Sequence, residues 1–269
     1  MANNREYAAL ASEIGEIAKS AGAIALSYFS AGAKTSASVS YKDGGSPVSE
    51  ADFAVDIYLK ERLGALVPDA GWLSEESTDD PVRLDKRQVF VVDPIDGTRA
   101  FIGGDKRWGV AIALVDNGRP IAGVLFMPAL DELYMAAAGL GATCNGGSIR
   151  VSQRGDLAGA TLGGPKRALD ALASQGYGTI AEPRVPSLAY RLARVGSGHI
   201  DAALASTNAW DWDIAAADLI VLESGGLLTG LDGGQPRYNL PLPRHGVLAA
   251  AGPELHRPLV VAVRAIQPK

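Results

Sequence analysis

The run Gln88-Val-Phe-Val-Val-Asp93 constrains the fold of this chain more than any other segment. Its four successive apolar residues leave no polar face, so it reads as a buried strand, β-branched and ended by Pro94. Such a strand needs apolar partners, and the flanking sequence supplies them. Leu10, Ile14, Ile17, Ala21, Ile24 and Tyr28 recur at steps of four and three, the period of an amphipathic helix. After a polar, glycine-rich stretch from Lys42 to Ser49, Ala51, Val55, Leu59, Leu63 and Leu66 repeat that period and predict a second helix that stops at Pro68. Segments 109–115 and 120–127 read as strands flanking the turn Asp116-Asn-Gly-Arg119, which makes them a hairpin. Further on, the pattern predicts a strand over 200–205 and an apolar helix from about Ile214 to Glu223. Ser224-Gly-Gly226 closes that helix, because glycine readily takes the left-handed conformation at a C-terminal cap. A soft boundary near Gly146 to Gln153 divides an N-terminal α+β half, 1–148, from a C-terminal α/β half, 149–269.

Composition narrows the function classes. A chain of 269 residues with 47% hydrophobic and 20% charged residues has ordinary globular usage, and 32 Gly with 15 Pro imply many tight turns between short elements. The net charge of −5 argues against a nucleic-acid partner, since phosphate backbones are bound by clusters of Lys and Arg. An anionic substrate would therefore need a cation at the site. Cys144 stands alone and cannot form an internal disulfide. The first ten residues have no apolar core of the signal-peptide kind, and no uncharged apolar run is long enough to span a bilayer, so the expected location is the cytoplasm with no membrane partner.

The segment richest in chemistry is Asp93-Pro-Ile-Asp-Gly-Thr98, two carboxylates and a hydroxyl on a turn leaving the buried strand. Hard divalent cations such as Mg²⁺ take oxygen ligands, and carboxylates this close can flank adjacent ions. Pro94 stiffens the turn, the Ile95 carbonyl offers another oxygen, and Gly97 lets backbone N–H groups approach a phosphate. Taken alone, the segment is equally an Asx-type turn. Two further acidic segments bear on the choice: Glu75-Glu76-Ser77, and Trp210-Asp-Trp-Asp213 just before the apolar helix. His199, His245 and His256 lack the repeat of a zinc site.

In this order, with Gly225-Gly226 after the last helix, the three acidic segments resemble the hallmarks of the inositol monophosphatase family, and the likeness runs from about Lys42 to Leu248. The resemblance implies a layered αβαβα sandwich, a homodimer, and hydrolysis of a small phosphorylated metabolite by a metal-activated water with two or three Mg²⁺ per site. It places Glu75, Asp93 and the Ile95 carbonyl on a first ion, Asp93, Asp96 and Asp213 on a second, and Glu75 with Asp93 on a weaker third. It pairs Thr98 with Asp52 to orient the attacking water, gives phosphate binding to the N–H groups of Gly97 and Thr98, and turns Lys42 toward the site. Each residue also has a plain structural role open to it. Asp213 is a natural helix cap, Asp52 an ordinary first-turn acid, Lys42 a loop charge. Glu76 reads as a solvated neighbour, and Asp211 and Asp218 as structural.

Substrate choice is less determined. Arg99-Ala-Phe-Ile102, Trp212-Asp-Ile-Ala-Ala-Ala217 and Arg237-Tyr-Asn239 resemble the bisphosphate-nucleotidase branch, while the lysine that branch often carries after its Ser-Leu pair is missing, because Ser187-Leu188 is followed by Ala189-Tyr190-Arg191. The sequence thus leans to 3′-phosphoadenosine 5′-phosphate, with inositol 1-phosphate and then histidinol phosphate as alternatives. Lys166, Arg167, Tyr190 and Arg191 are the residues expected to meet a second phosphate and a base, unless they form an ordinary solvated face. A regulatory binding protein with residual phosphatase activity is the alternative from another class.

Overall fold

The computed structural model describes residues 2–267; Met1, and Pro268 and Lys269 at the end of the expected C-terminal half, lie outside the described residues. The chain opens with α1 (Ala2–Leu26), a short hairpin of β1 (Val39–Tyr41) and β2 (Pro47–Ser49), and α2 (Glu50–Leu66). Then follow β3 (Gly71–Ser74), a single 3₁₀ turn over Pro81–Asp85, β4 (Gln88–Asp96), α3 (Thr98–Gly103), β5 (Gly109–Asp116), β6 (Arg119–Met127), β7 (Glu132–Ala137), β8 (Ala142–Cys144) and β9 (Gly147–Ser148). The remainder is β10 (Thr161–Gly163), α4 (Lys166–Ser174), β11 (Ile180–Ala181), α5 (Leu188–Gly196), β12 (Ala202–Ala205), β13 (Ala209–Trp210), α6 (Asp211–Glu223), β14 (Leu227–Gly230), β15 (Arg244–His245), β16 (Leu248–Ala251) and α7 (Pro253–Ala265).

Strands β3 to β9 form one seven-stranded sheet in sequence order, antiparallel except for the parallel pair β3–β4. A second sheet of five strands has the order β11-β10-β12-β16-β14. Helices α1 and α2 cover one face of the first sheet, α5 and α6 fill the space between the sheets, and α4 and α7 cover the far face of the second. That is an αβαβα sandwich.

The layers explain the unbroken apolar run of β4. Side chains alternate across a strand, so Phe90 and Val92 join the core beneath α1 and α2, whereas Val89 and Val91 join the core beneath α5 and α6. β5 divides in the same way, with Ile112 and Leu114 on one side and Ala111, Ala113 and Val115 on the other. Full burial of one such side chain contributes about 1.5–3 kcal/mol. The β5–β6 hairpin turns at Asn117 (φ 50°) and Gly118 (φ 78°), the positive pair that a two-residue turn between twisted strands requires.

Two features of the first sheet bear on the site. A Cβ on Gly123 of β6 would lie 2.7 Å from the Ala216 carbonyl of α6, so only glycine admits the helix at this depth. β4 also extends past the expected stop. Pro94 does not end it; Asp93 pairs with Ala111 and Asp96 with Gly109, an extra residue on the β4 side. Proline lacks the N–H that a regular ladder needs, and a bulge is where a strand tolerates that. The expected turn is therefore a bulged strand end that carries Asp93, Ile95 and Asp96 together.

Candidate metal centre

Asp93, Asp96 and Asp213 each offer a carboxylate oxygen, and the three oxygens lie within 4.8 Å of one another. The first two leave the bulge of β4, and the third comes from α6 in the other half of the chain. Asp93 and Asp96 are buried and Asp213 half-buried. The group lines a cavity of about 310 Å³ together with Glu75, Gly97, Thr98, Ser46, Pro47, Arg99, Arg184 and Pro186.

The charges in this cavity oppose one another. Burial pushes the Asp93 carboxyl well above the usual carboxylate range, and the charges of Glu75, Asp96 and Asp213 add to the rise. Asp213 is raised by burial and then by Asp96. Burial lifts Asp96 to about 6, restrained by hydrogen bonds from Ser187, Ala189 and Leu188. A clustered set of acidic oxygens, three of whose carboxyls are held above their ordinary pKa partly by mutual repulsion, fits a hard divalent cation in donor chemistry and in charge.

Two carboxylates are held in the same way, Asp213 lining the cavity and Asp52 buried behind Thr98. Asp52 is the third residue of α2, and its Oδ2 accepts from the Ser49 N–H (2.8 Å) and hydroxyl (2.6 Å) just outside the helix. Asp213 is the third residue of α6, and its Oδ2 accepts from the Trp210 N–H at 2.6 Å. Each side chain thus ties down a helix start with one oxygen and leaves the other for a neighbour. A carboxylate at a helix start keeps a second oxygen, so the cap does not exclude a second partner. On Asp52 the second oxygen lies 3.4 Å from the Thr98 hydroxyl, which also donates to the Ile95 carbonyl at 3.1 Å. Burial lifts the Asp52 carboxyl to about 6 against the pull of Ser49.

Around this centre, several expected residues sit elsewhere than the sequence implied. Lys42 is ion-paired to Glu75 (3.0 Å) and to Glu76 (2.8 Å), so it meets the site through these carboxylates. Glu76 is not a solvated neighbour; its side chain is 2% exposed, and burial pushes it up to about 7 despite Lys42. The loop after β3 turns it inward, since Ser74 and Ser77 on either side are both bonded to Asp56 of α2. Of the four residues expected at a second phosphate and a base, Lys166 and Arg191 line one cleft, and Arg167 and Tyr190 lie outside it. Tyr190 is buried against Tyr134, with its hydroxyl 3.4 Å from Glu132. Arg191 donates to the carbonyls of Leu204 and Val185, Lys166 is ion-paired with Asp170, and Arg167 lines a separate, largely apolar cavity.

Sequence reasoning did not single out Ser187 as a site partner, nor Arg184 or Asp56. Ser187 caps α5 by accepting from the Tyr190 N–H, and its hydroxyl and the Leu188 and Ala189 N–H groups all donate to Asp96. A Ser before an apolar stretch is a cap signal, which locates the helix but not its partner. Exposed Arg184 lines both the metal cavity and an adjoining cleft of about 710 Å³ that also holds Lys166 and Arg191. Asp211 and Asp218 bond away from the cavity, Asp211 to His245 and the Asn239 N–H, Asp218 to the Tyr238 hydroxyl.

A profile of the inositol monophosphatase family matches residues 6–267 of this chain. The chain belongs to that family. As a member of the inositol monophosphatase family it is a phosphomonoester hydrolase with a metal-dependent site. An inositol-1-monophosphatase from Mesorhizobium japonicum is 32% identical over 235 residues, covering 84% of this chain and 86% of its own. A histidinol-phosphatase from Chlorobaculum parvum is 40% identical over 137 residues, 51% of each chain. Among solved inositol monophosphatase folds, the extragenic suppressor protein suhB from Bartonella henselae superposes with a TM-score of 0.84 at 29% identity, covering 95% of this chain and 98% of its own. No helix among the described residues is long and apolar enough to cross a membrane.

Proposed function

We propose that the chain hydrolyses the phosphate monoester of a small soluble metabolite with Mg²⁺, by attack of a metal-activated water. The observation that carries this is the meeting of Asp93, Asp96 and Asp213 oxygens within 4.8 Å at a cavity that also exposes Gly97 and Thr98. Asp93, Asp96 and Asp213, with Glu75 and the Ile95 carbonyl, would hold two or three ions. When bound, these supply charge neutralisation at the phosphoryl and leaving oxygens and a water of lowered pKa. Thr98 accepts a hydrogen bond from the attacking water while its own hydroxyl proton points to Asp52 or to Ile95, which fixes the lone pair that faces the cavity. Gly97 and Thr98 open α3, where the first N–H groups have no partner within the helix, and they bind the phosphate oxygens. The N-terminal half, 1–148, brings most of these groups, and the C-terminal half, 149–269, brings Asp213 and the segments that select substrate.

For the substrate we favour a metabolite with a second phosphate, of which 3′-phosphoadenosine 5′-phosphate is the test case. The support is exposed Arg184, which lines both the metal cavity and the adjoining cleft, in place of the four-residue set expected from sequence. Inositol 1-phosphate and histidinol phosphate are the competing substrates, after the names of the relatives above. By family resemblance the enzyme would work as a cytoplasmic homodimer. Phosphate release from these three substrates is the experiment, after chelation and again with Mg²⁺ restored. Activity on at least one of them, absent with chelator and regained with Mg²⁺, is expected, and full turnover in metal-free buffer would overturn it. A tenfold better kcat/KM on inositol 1-phosphate, about 1.4 kcal/mol in the transition state, would overturn the bisphosphate preference alone.

A further inference from the structure

Asp56 lies on α2, one helical turn after Asp52, and it is buried without lining the metal cavity. Its two oxygens are both taken by one short segment of chain. Oδ1 accepts from the Ser74 hydroxyl at 2.5 Å and Oδ2 from the Ser77 hydroxyl at 2.6 Å. Between those serines stand Glu75 and Glu76. The clamp is reinforced from three further directions: Trp72 Nε1 donates to the Ser77 hydroxyl, the Glu76 N–H donates to the Ser74 hydroxyl, and the Glu75 N–H donates to the Val92 carbonyl of β4. Glu75 is therefore presented to the cavity from a loop whose two ends are fastened to one carboxylate of a neighbouring helix. A loop glutamate without such fastening would sample several rotamers, and binding a cation would have to order it.

We propose that Asp56 is a positioning residue that sets the direction of Glu75 for cation binding; this rests on the metal-centre reading above. A carboxylate is the side chain the geometry requires, because it accepts at both oxygens, whereas an amide of the same shape accepts at one and presents a donor to the second serine. Asp56 touches neither substrate nor ion. Its effect is read through Glu75.

The experiment uses the full chain without substrate, titrated with Mn²⁺ and followed by the electron paramagnetic resonance signal of the free ion. Asp56→Asn is expected to weaken binding about tenfold, the scale on which partners of metal ligands act. The Mg²⁺ needed for half-maximal activity should rise in parallel, with kcat at saturating Mg²⁺ within about threefold of wild type. The paired change Ser74→Ala with Ser77→Ala should reproduce the loss, and the triple variant should add less than the product of the two, because all three residues act through one clamp. Val55→Ala, in the wholly buried core beside Asp56, is the control for stability: it should lower the melting temperature and leave the Mn²⁺ titration unchanged. Wild-type Mn²⁺ binding in folded Asp56→Asn, or equal weakening in Val55→Ala, overturns the proposal. Absence of Mn²⁺ uptake by the wild type overturns the metal-centre reading itself, a result distinct from either of these.

Discussion

Ser187 donates its hydroxyl to Asp96 at 2.5 Å across 91 residues of sequence, and accepts the Tyr190 N–H with the same oxygen. One side chain thereby caps a helix of the C-terminal half and grips a site carboxylate of the N-terminal half. Ser187→Ala removes both bonds. The metal-free protein should lose about 1–2 kcal/mol in urea unfolding with chelator present. The Mg²⁺ required for half-maximal activity should rise several-fold, since Asp96 loses a donor that favours its ionised form. Unchanged stability and unchanged Mg²⁺ dependence would show the contact to be idle.

Asp213→Asn and Asp96→Asn separate chemistry from fold. Each removes a charge from a crowded cluster, and the amide introduced by Asp213→Asn keeps an oxygen for the Trp210 N–H. Both variants should lose kcat by at least about 100-fold, roughly 2.7 kcal/mol of transition-state stabilisation. In metal-free buffer the melting temperature of Asp213→Asn should stay level or rise. A large metal-free loss in that variant would mean that its charge serves the helix start more than the site.

The raised carboxyls predict an unusual pH dependence. Asp52, Asp96 and Asp218 stand at about 6 and Glu76 at about 7, all above their ordinary values. A carboxyl whose folded pKa exceeds its unfolded one binds protons more readily in the native state, so its contribution is fully present below the unfolded value and is lost as pH rises through the folded value. Without metal, the protein should therefore gain stability as pH falls from about 7.5 to 5.5. Saturating Mg²⁺ should flatten this trend in part, because cations compete with protons at Asp93, Asp96 and Asp213, while Asp218 bonds away from the cavity. Calorimetry at both ends of that range, with chelator and with Mg²⁺, checks the sign; a metal-free melting temperature that falls toward the acid end contradicts it.

Gly123→Ala tests how α6 is held at its depth. The new methyl would meet the Ala216 carbonyl at 2.7 Å, so the helix must move or the strand must bend. We expect about 1–3 kcal/mol of destabilisation. Activity should fall further than stability explains, because α6 carries Asp213. A variant that melts and turns over as wild type would show slack between the two elements.

Much of this is legible from local pattern. α1 and α2 repeat an apolar period long enough to be seen, α6 is an apolar run closed by glycines, the β5–β6 hairpin shows at its turn, and the three acidic segments carry the family resemblance. α3, at six residues, and α5, at nine, are too short for a period to stand out. The end of β4 escapes such a reading because proline ordinarily stops a strand, and the pairing that tolerates it at a bulge lies on β5. Glu76 escapes it because a local rule sees a charged residue beside another charged residue. Its burial is decided by Lys42, 34 residues earlier, and by the serines that Asp56 holds. The partnership of Ser187 with Asp96 has no local signal at all.

The shared placement of Asp52 and Asp213 at the third position of a helix bears on how this chain can diverge. At this third position a helix start needs only a side-chain oxygen that reaches back to the N–H ahead of it, which asparagine or glutamine also offers. A descendant could replace either aspartate with one of these, keep its helices and its layered core, and lose hydrolysis in a single step. The same scaffold would then be free to serve as a binder, its architecture intact and its chemistry gone.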